Sequence, residues 1–477
     1  MNHSADYQPV VTRREMLFRS AHGFGGLALG CLLERERVAA AARVSRLDNP
    51  FLPRAPHFPP RAKSVIFLFM DGGPSQIDTF DYKPRLQQEH GQEISIKTPR
   101  TTGNIGKKLM KSPYRFRQHG ECGAWVSEIF PHVATCVDDI AFVHSMYTDH
   151  AEHTAGCYFM HTGFGQQGYP SMGAWLVYGL GNECDDLPGF VVLDSGVIPR
   201  GGRDNFGSGF LPASYQGTLF RQGKHPVADI LPREPRLEIQ QGKLNLLRQL
   251  NRGVVENLGA SPEMEAVIAN YELAFRMQTR VPDLLDFHDE SPATLKLYGI
   301  DQEQTDDFGR QCLLARRLVE RGVRFVELVT PFRPGIDRWD QHSALPKHHR
   351  INALATDQPI AALLKDLKAR GILDETLVVW GGEFGRTPMV ETAEGRDHNP
   401  FGFTMWMAGG GTKGGTMYGA TDDYGYFAVQ DKVHVHDLHA TILHLLGIEH
   451  TRLTFRFSSR DMRLTDVHGR VVDGIIA

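Results

Sequence analysis

The chain has 477 residues, of which 41% are hydrophobic and 23% are charged, and its formal net charge at pH 7 is -4. Such a chain can bury a large core, and its length allows about two or three domains. The nearly balanced charge gives no general attraction to nucleic acid, so we expect no nucleic-acid partner.

The first 42 residues predict an export signal. Arg13 and Arg14 form a twin-arginine pattern, and the stretch 21–33 is too short and too rich in glycine to make a stable transmembrane segment. Small residues at 39–42 predict cleavage there, so we expect the twin-arginine translocation machinery to deliver the mature protein to the periplasm or the extracellular space. Lipid anchoring at Cys31 is the alternative.

After a Pro-rich lead-in at 43–60, an apolar run over 64–70 predicts the first strand, which ends at Asp71 and two glycines. A strand that is apolar on both faces is typical of the middle of a parallel sheet covered by helices. Asp71 would then lie at the carboxyl edge of the sheet, where α/β proteins bind ligands, and the glycines allow close backbone approach. A turn without function is the alternative interpretation.

Further buried strands are predicted at 141–145, 189–194, 323–330, 376–380 and 403–408. The strand at 376–380 leads to Glu383, which places a second carboxylate at the same edge. A helix with Asp357 as its N-cap and Gly371 at its end is predicted before that strand.

No internal repeat divides the remaining chain. We therefore expect one α/β domain over 61–477, with a helical insertion at about 236–322. The five cysteines beyond Cys31 include no C-x-x-C pair, so a thiolate zinc site is not predicted, although Cys122 and Cys136 could pair after export.

Two more loops carry acids and imidazoles. Asp340 and His342 follow the strand that ends near Thr330, and His398 lies before the strand at 403–408. Each alone is more often a surface group or a hydrogen-bonded residue, but their recurrence at strand ends predicts a metal site. Mixed carboxylate and imidazole ligands favour zinc or manganese, whereas a purely carboxylate cage would favour calcium, which stays an alternative.

Together these motifs resemble the alkaline phosphatase and sulfatase superfamily. The resemblance rests on the order of four segments and a C-terminal helix pattern, at 64–72, 153–163, 376–383, 398–408 and 434–447. Three sequence motifs are most similar to the bacterial family called domain of unknown function 1501: MDGGPSQIDTFD at 70–81, GGEFGRTP at 381–388 and GRDHNP at 395–400. This match covers nearly the whole mature chain.

The resemblance implies an alkaline phosphatase-like fold, a three-layer α/β/α sandwich with a mostly parallel central sheet. It also implies a divalent-metal site at the carboxyl edge of that sheet. The ligands implied by position are Asp71, Asp340, His342, Glu383 and His398.

The sequence departs from the superfamily at the second metal and at the nucleophile. Gln341 alone separates the acid from the imidazole in their loop, and Phe384 stands where a second imidazole is usual, so a full two-zinc site is not expected. The sulfatase signature is absent. Thr154 is the candidate nucleophile, assisted by His150 or His153. In the alternative, Thr154 caps a helix and the histidines are structural or bind metal.

The leading prediction is an exported, metal-dependent hydrolase or transferase of a phosphate or sulfate ester, such as an ester carried by a glycan. Arg386 or Arg396 would neutralise the ester oxygens, and Arg200, Arg203 and Asn205 could also reach an anionic substrate. The alternative is a superfamily member that has lost catalysis and binds sulfated or phosphorylated polymers.

Overall fold

The computed structural model describes residues 51–94, 108–221, 227, 236–258, 262–392 and 394–477. The predicted export signal, its cleavage site and the lipid anchor at Cys31 lie outside these residues.

The described secondary structure alternates between strands and helices along most of the chain. The strands are Ser64–Phe69 (β1), Phe116–His119 (β2), Ala124–Ser127 (β3), Ile140–Tyr147 (β4), Phe190–Asp194 (β5), Thr218–Arg221 (β6), Phe325–Val329 (β7), Thr376–Gly381 (β8), Gly385–Arg386 (β9), His398–Asn399 (β10), Phe403–Ala408 (β11), Met417–Tyr418 (β12), Ala420–Thr421 (β13), Ala428–Gln430 (β14), Val433–His434 (β15), Phe455–Phe457 (β16) and Arg460–Met462 (β17). The α-helices are Gln76–Thr79 (α1), Pro84–Gln88 (α2), His153–Thr162 (α3), Met172–Leu180 (α4), Leu237–Leu258 (α5), Pro262–Leu285 (α6), Pro292–Leu297 (α7), Asp306–Glu320 (α8), Leu345–Ala369 (α9) and Val435–Leu445 (α10). Short 3-10 helices lie at Val133–Asp139, Gly202–Phe206, Ala213–Tyr215, Leu373–Glu375 and Asp473–Ile475.

One nine-stranded sheet organises the fold. Its order is β12-β4-β11-β8-β1-β7-β5-β6, with β15 also paired to β4. All pairings are parallel except those of β11, which runs antiparallel to both β4 and β8. Every residue of β1, β5, β7, β8 and β11 is buried, so both faces of the sheet are covered. The predicted three-layer α/β/α sandwich with a mostly parallel sheet is confirmed.

The register of the central strands explains why the acidic and imidazole side chains lie at one edge of the sheet. Phe69 at the end of β1 pairs with Val329 of β7 on one side and with Gly381 of β8 on the other. The loops that follow these three strands therefore start side by side, and they carry the acids and imidazoles singled out from the sequence.

The predicted start of the helix before β8 is wrong. That helix, α9, begins at Leu345, and Asp357 is buried in its interior. The Asp357 carboxylate accepts the backbone N–H groups of His132 and Val133 at 2.8 and 2.7 Å, so it caps the 3-10 helix at Val133–Asp139 instead. Pro359, which resembles a first-turn proline, lies inside the helix because tertiary packing outweighs its local cost. Burial raises the pKa of Asp357 to about 7.

The region 236–322 contains α5 to α8, and α8 packs against β7 and α9. No helix among the described residues has the length and apolar character needed to cross a membrane. The five described cysteines are all free, so Cys122 and Cys136 are not joined, and the other three are buried.

Candidate metal centre

The turn after β1 is shaped by close backbone approach. Gly72 has φ +100°, and a Cβ atom there would lie 2.7 Å from the backbone nitrogen of Asp340. The Gly72 N–H donates to both carboxylate oxygens of Glu383, at 3.0 and 3.2 Å. Only glycine lets the loop after β7 pack so tightly over the end of β1. The three predicted loops are thereby brought together.

Four side chains converge where these loops meet, and we call them the donor cluster: His153, Asp340, His342 and His398. One ligand atom from each lies within 4.8 Å of the others. The His153 Nε2 atom is 3.0 Å from Asp340 Oδ2, and the Nε2 atoms of His342 and His398 are 2.9 and 3.3 Å from Asp340 Oδ1. The two latter Nε2 atoms are 3.0 Å apart. Three imidazoles thus face one carboxylate.

The other nitrogen of each ring is tied to an acceptor. Nδ1 of His153 bonds to Glu383 at 2.6 Å, Nδ1 of His342 bonds to Glu391 at 2.5 Å, and Nδ1 of His398 bonds to the Ala151 carbonyl at 2.6 Å. Carboxylates and carbonyls only accept, so each Nδ1 donates and each neutral ring presents its Nε2 lone pair to the cluster. Outer hydrogen bonds of this kind are typical of histidines that bind metal.

The donor cluster is electrostatically tuned to hold positive charge. Burial opposes ionisation of Asp340, but its close contacts with the rings of His153, His342 and His398 hold its pKa well below the usual range. Burial lowers the pKa of His153, but Asp340 and Glu383 together raise it to about 9. The hydrogen bond to Asp340 also raises the pKa of His342, whereas burial lowers that of His398. Protons on these rings therefore offset the negative charge of the carboxylates, as a bound cation would.

The donor set fits a divalent ion. Nε2 of His153 is buried and makes no hydrogen bond, because its approach to Asp340 lacks hydrogen-bond geometry. Zinc with ligand bonds of about 2.0–2.1 Å has donor atoms roughly 3.3 Å apart, close to the separations within the cluster. Three nitrogens and one carboxylate suit zinc, and manganese less closely, whereas calcium prefers oxygen.

Asp71 and Glu383, also predicted as ligands, lie next to the donor cluster but outside it. Asp71 Oδ2 is 2.8 Å from Nη1 of Arg338, and Asp71 Oδ1 is buried without a hydrogen bond. Burial raises the pKa of Asp71 to about 7, although Arg338 opposes the rise. Burial also disfavours the charge on Glu383, but the hydrogen bond from His153 leaves its pKa lowered. Groups of the chain thus hold both oxygens of Glu383 but only one oxygen of Asp71.

The candidate nucleophile Thr154 lies in the first turn of α3, directly after His153. The helix is capped by Glu152, whose carboxylate accepts the backbone N–H of Thr154 at 2.9 Å, so the interpretation of Thr154 as the cap is wrong. His150, three residues before His153, contacts the ring of Phe159 with centroids 5.0 Å apart and is not a member of the donor cluster.

The two arginines assigned to ester oxygens are fully buried. Arg386 donates from Nη2 to Asp340 Oδ1 at 2.6 Å and from Nε to the Gly73 carbonyl at 3.0 Å. Arg396 is paired with Asp78, with 2.7 Å between Nε and Oδ2. Arg386 therefore orients Asp340, and Arg396 joins parts of the fold together.

Arg200, in contrast, opens to solvent beside the cluster. Its side chain is 45% exposed, and its Nη2 atom lies 2.9 Å from Asp337 Oδ2 and 3.6 Å from Asp340 Oδ2. Asn205 is buried and donates to the Arg200 carbonyl at 2.9 Å, which fixes the loop. Arg203 is exposed in the same loop. A cationic group thus faces the open side of the site.

A family model described as "Protein of unknown function (DUF1501)" matches residues 62–476. The chain belongs to this family. No curated protein matches it.

Several solved structures are similar to this DUF1501 chain at low sequence identity. The lipoteichoic acid synthase LtaP from Listeria monocytogenes is 9% identical, with a TM-score of 0.33 over 85% of this chain and 78% of that chain. The PsFucS1 sulfatase from Pseudoalteromonas sp. is 13% identical, with a TM-score of 0.34 over 87% and 72%. The alkaline phosphatase from the Antarctic bacterium TAB5 is 11% identical, with a TM-score of 0.29 over 73% and 92%.

Three features of the DUF1501 site were not predicted as such. His153 was assigned to catalysis, with metal binding only as an alternative, and Glu391 and Arg338 were not assigned at all. The H-T-A-G start of α3, directly after a predicted strand and a His-rich turn, was the available signal for His153. Glu391 and Arg338 lie in loops without periodicity, so the sequence offered no comparable signal.

Proposed function

We propose that this protein is an exported, metal-dependent hydrolase of phosphate or sulfate esters. The observation that carries the proposal is the donor cluster, in which three imidazole Nε2 atoms face the Asp340 carboxylate while every Nδ1 is tied outward. A neutral binding pocket for an anion has no need of such an arrangement, whereas a catalytic zinc or manganese site does.

The donor cluster would hold a divalent ion, which would supply Lewis acidity to polarise an ester oxygen and compensate developing negative charge. Side chains of the protein orient the ligands and bind the substrate. Arg386 keeps the Asp340 carboxylate aimed at the three rings, and Arg200 binds the anionic part of the substrate from the solvent side. Phe384 is buried and its ring lies 4.9 Å from that of His153, which keeps water from the inner side.

The attacking group is Thr154 in this proposal. It follows His153 in the first turn of α3, and its backbone N–H donates to the Glu152 carboxylate, which would accept the hydroxyl proton as the oxygen attacks phosphorus or sulfur and the alcohol of the ester leaves. The helix N-terminus of α3 adds a favourable field for negative charge at this point. If water attacks instead, replacing Thr154 by alanine will leave most of the turnover.

Export is also part of the proposal, and it is supported by the twin arginines at 13 and 14. The twin-arginine route carries folded proteins, which suits a chain that acquires its ion before crossing. Replacing both arginines by lysine should retain the protein in the cytoplasm, as measured by cell fractionation. Equal export of the double variant would refute this part.

The decisive experiment combines ion content with an ester screen. Metal-depleted protein reloaded with zinc or manganese should hydrolyse a nitrophenyl phosphate, phosphodiester or sulfate, and Asp340→Asn should lose at least 100-fold in turnover. Glu375→Gln is the matched control, because Glu375 is an exposed acid that, within the described part of the chain, pairs with Lys63 alone. Loaded protein that hydrolyses none of these esters, yet binds sulfated polymers with or without the ion, would replace the proposal by the non-catalytic alternative.

A further inference from the structure

The acids beside the donor cluster already contact donor groups of the chain. Asp71 and Arg338 form an ion pair at 2.8 Å in which their side chains are only 3% and 12% exposed. Glu383 accepts the Gly72 N–H through both oxygens and the His153 Nδ1–H through one. Both Glu383 oxygens are occupied, whereas Asp71 Oδ1 makes no hydrogen bond, so a second metal ion could reach Asp71 through one oxygen only and beside the positive charge of Arg338.

Arg338 is held in place from its backbone outward. It has φ +44°, an uncommon conformation for a residue other than glycine. Its carbonyl accepts the side-chain amides of Gln341 and Asn352, and its Nη1 donates to the Ile198 carbonyl at 3.1 Å. The loop is therefore built to present this guanidinium to Asp71.

A second ion would also lack an imidazole. Phe384, at the position where the superfamily resemblance implies a histidine, has its ring centroid 4.9 Å from that of His153 and 4.6 Å from that of His398. Phe384 offers no donor atom, and its buried ring fills the space next to Glu383. An apolar ring and a bound guanidinium thus stand where ligands would be needed.

We propose that Arg338 supplies the positive charge that a second metal ion would supply beside Asp71, so that the centre holds one divalent ion. That ion is bound by the donor cluster, and Asp71 is not one of its ligands. This inference rests on the proposed metal-dependent function, but it concerns the number of ions and can fail separately.

The first measurement is the zinc content of the folded full-length protein after equilibrium dialysis against chelator-buffered zinc. We expect one ion per chain. Two ions per chain would overturn this inference while leaving the proposed function intact, and no ion would overturn both. Asp71→Asn should keep the single ion with an affinity within about threefold of the wild type, and loss of the ion in this variant would overturn the inference.

The second measurement tests Arg338 itself. Arg338→Gln combined with Phe384→His should bind two ions per chain, because together they free Asp71 and supply the missing imidazole, whereas Arg338→Lys combined with Phe384→His keeps the charge and should bind one. Adding Asp71→Asn to the Arg338→Gln, Phe384→His protein should return it to one ion. Folded Arg338→Gln, Phe384→His protein that still binds only one ion would refute the role of Arg338. If that variant does not fold, the wild-type count and Asp71→Asn decide the question.

Discussion

Metal binding by this protein should release a proton from His153, and the affinity should therefore rise steeply with pH. Asp340 and Glu383 lie on either side of the ring, 3.0 and 2.6 Å from its nitrogens, and against the opposing effect of burial they raise its pKa to about 9. An ion needs the neutral Nε2, so below pH 9 it competes with a proton. His153 thus sets the pH dependence of loading.

The size of the effect follows from the pKa. At pH 7 the solution is about two pH units below the pKa of His153, and one unit is worth about 1.4 kcal/mol. Removing the proton then costs about 3 kcal/mol, so the affinity at pH 7 should be roughly 100-fold lower than above pH 9. Between pH 7 and 9 the logarithm of Kd should fall by about one unit per pH unit.

The assay is competition for zinc with a chelator of known affinity from pH 6.5 to 9.5, together with calorimetry in two buffers of different ionisation enthalpy to count released protons. Glu383→Gln removes one of the two charges beside the ring and should move the bend of the curve to lower pH. His288→Ala, at a ring that is 95% exposed, is the matched control and should leave the curve unchanged. Zinc affinity that is constant between pH 7 and 9 would refute the reasoning.

The same shift makes a statement about the metal-free fold. The folded pKa lies above the ordinary value of 6.5, so protonated His153 stabilises the fold fully below pH 6.5, and this stabilisation is lost as the pH rises through 9. The free energy of unfolding of metal-free protein should accordingly fall by about 3 kcal/mol over that range in urea titrations. Zinc-loaded protein should lose much less, because the ion has replaced the proton.

Three other predictions concern single residues. In steady-state kinetics, Arg200→Ala should raise KM for an anionic ester about tenfold and change kcat less than threefold, because the Arg200 guanidinium faces solvent. The control Arg203→Ala should change neither constant. An unchanged KM in Arg200→Ala would count against the role of Arg200. Glu391→Gln should lower zinc affinity 10- to 100-fold in chelator competition by loosening the ring bonded at 2.5 Å, and equal affinities would contradict that role. Gly72→Ala should lower the free energy of unfolding by about 2–4 kcal/mol in urea titrations, because its Cβ would lie 2.7 Å from the Asp340 nitrogen and Gly72 has φ +100°. A decrease below about 1 kcal/mol would show that the loop can move.

The fold was predictable because its central strands are continuous apolar runs. The runs at 64–70, 376–380 and 403–408 form β1, β8 and β11. Strands that are buried on both faces are apolar along their whole length, so the sequence shows them as uninterrupted apolar segments. The antiparallel direction of β11 was not visible, because direction depends on the connection and not on the strand's own residues. The early start of α9 was missed because Asp357 and Pro359 together imitate a helix N-terminus.

The site was predictable only as far as positions on the sheet edge determine it. Strand ends and the family resemblance singled out Asp340, His342 and His398, and the structure brings these three together. Whether a carboxylate faces an ion or an arginine is settled by loop conformation, which periodicity does not encode. Arg338 contacts Asp71 because its backbone adopts a left-handed conformation at one position of an irregular loop.

The pairing of β9 with β10 shows how the chain builds one rigid centre from distant segments. In this short ribbon His398 lies opposite Arg386, so a donor of the cluster and the arginine that orients Asp340 are fixed on the same element. Glu383 precedes the ribbon by two residues and fixes the ring of His153. Glu383, which the resemblance implies as a metal ligand, thus acts as the hydrogen-bond acceptor that orients His153.

The same change of role applies to Asp71. Its carboxylate pairs with Arg338, while its backbone carbonyl accepts the Trp339 N–H at 3.3 Å and so fixes the loop segment that continues to Asp340 and His342 of the donor cluster. Both acids keep their places at the strand ends but contact the groups around the donor cluster. This accounts for the single ion that we propose: the positions of the acids follow from the sheet, whereas their partners follow from the loops.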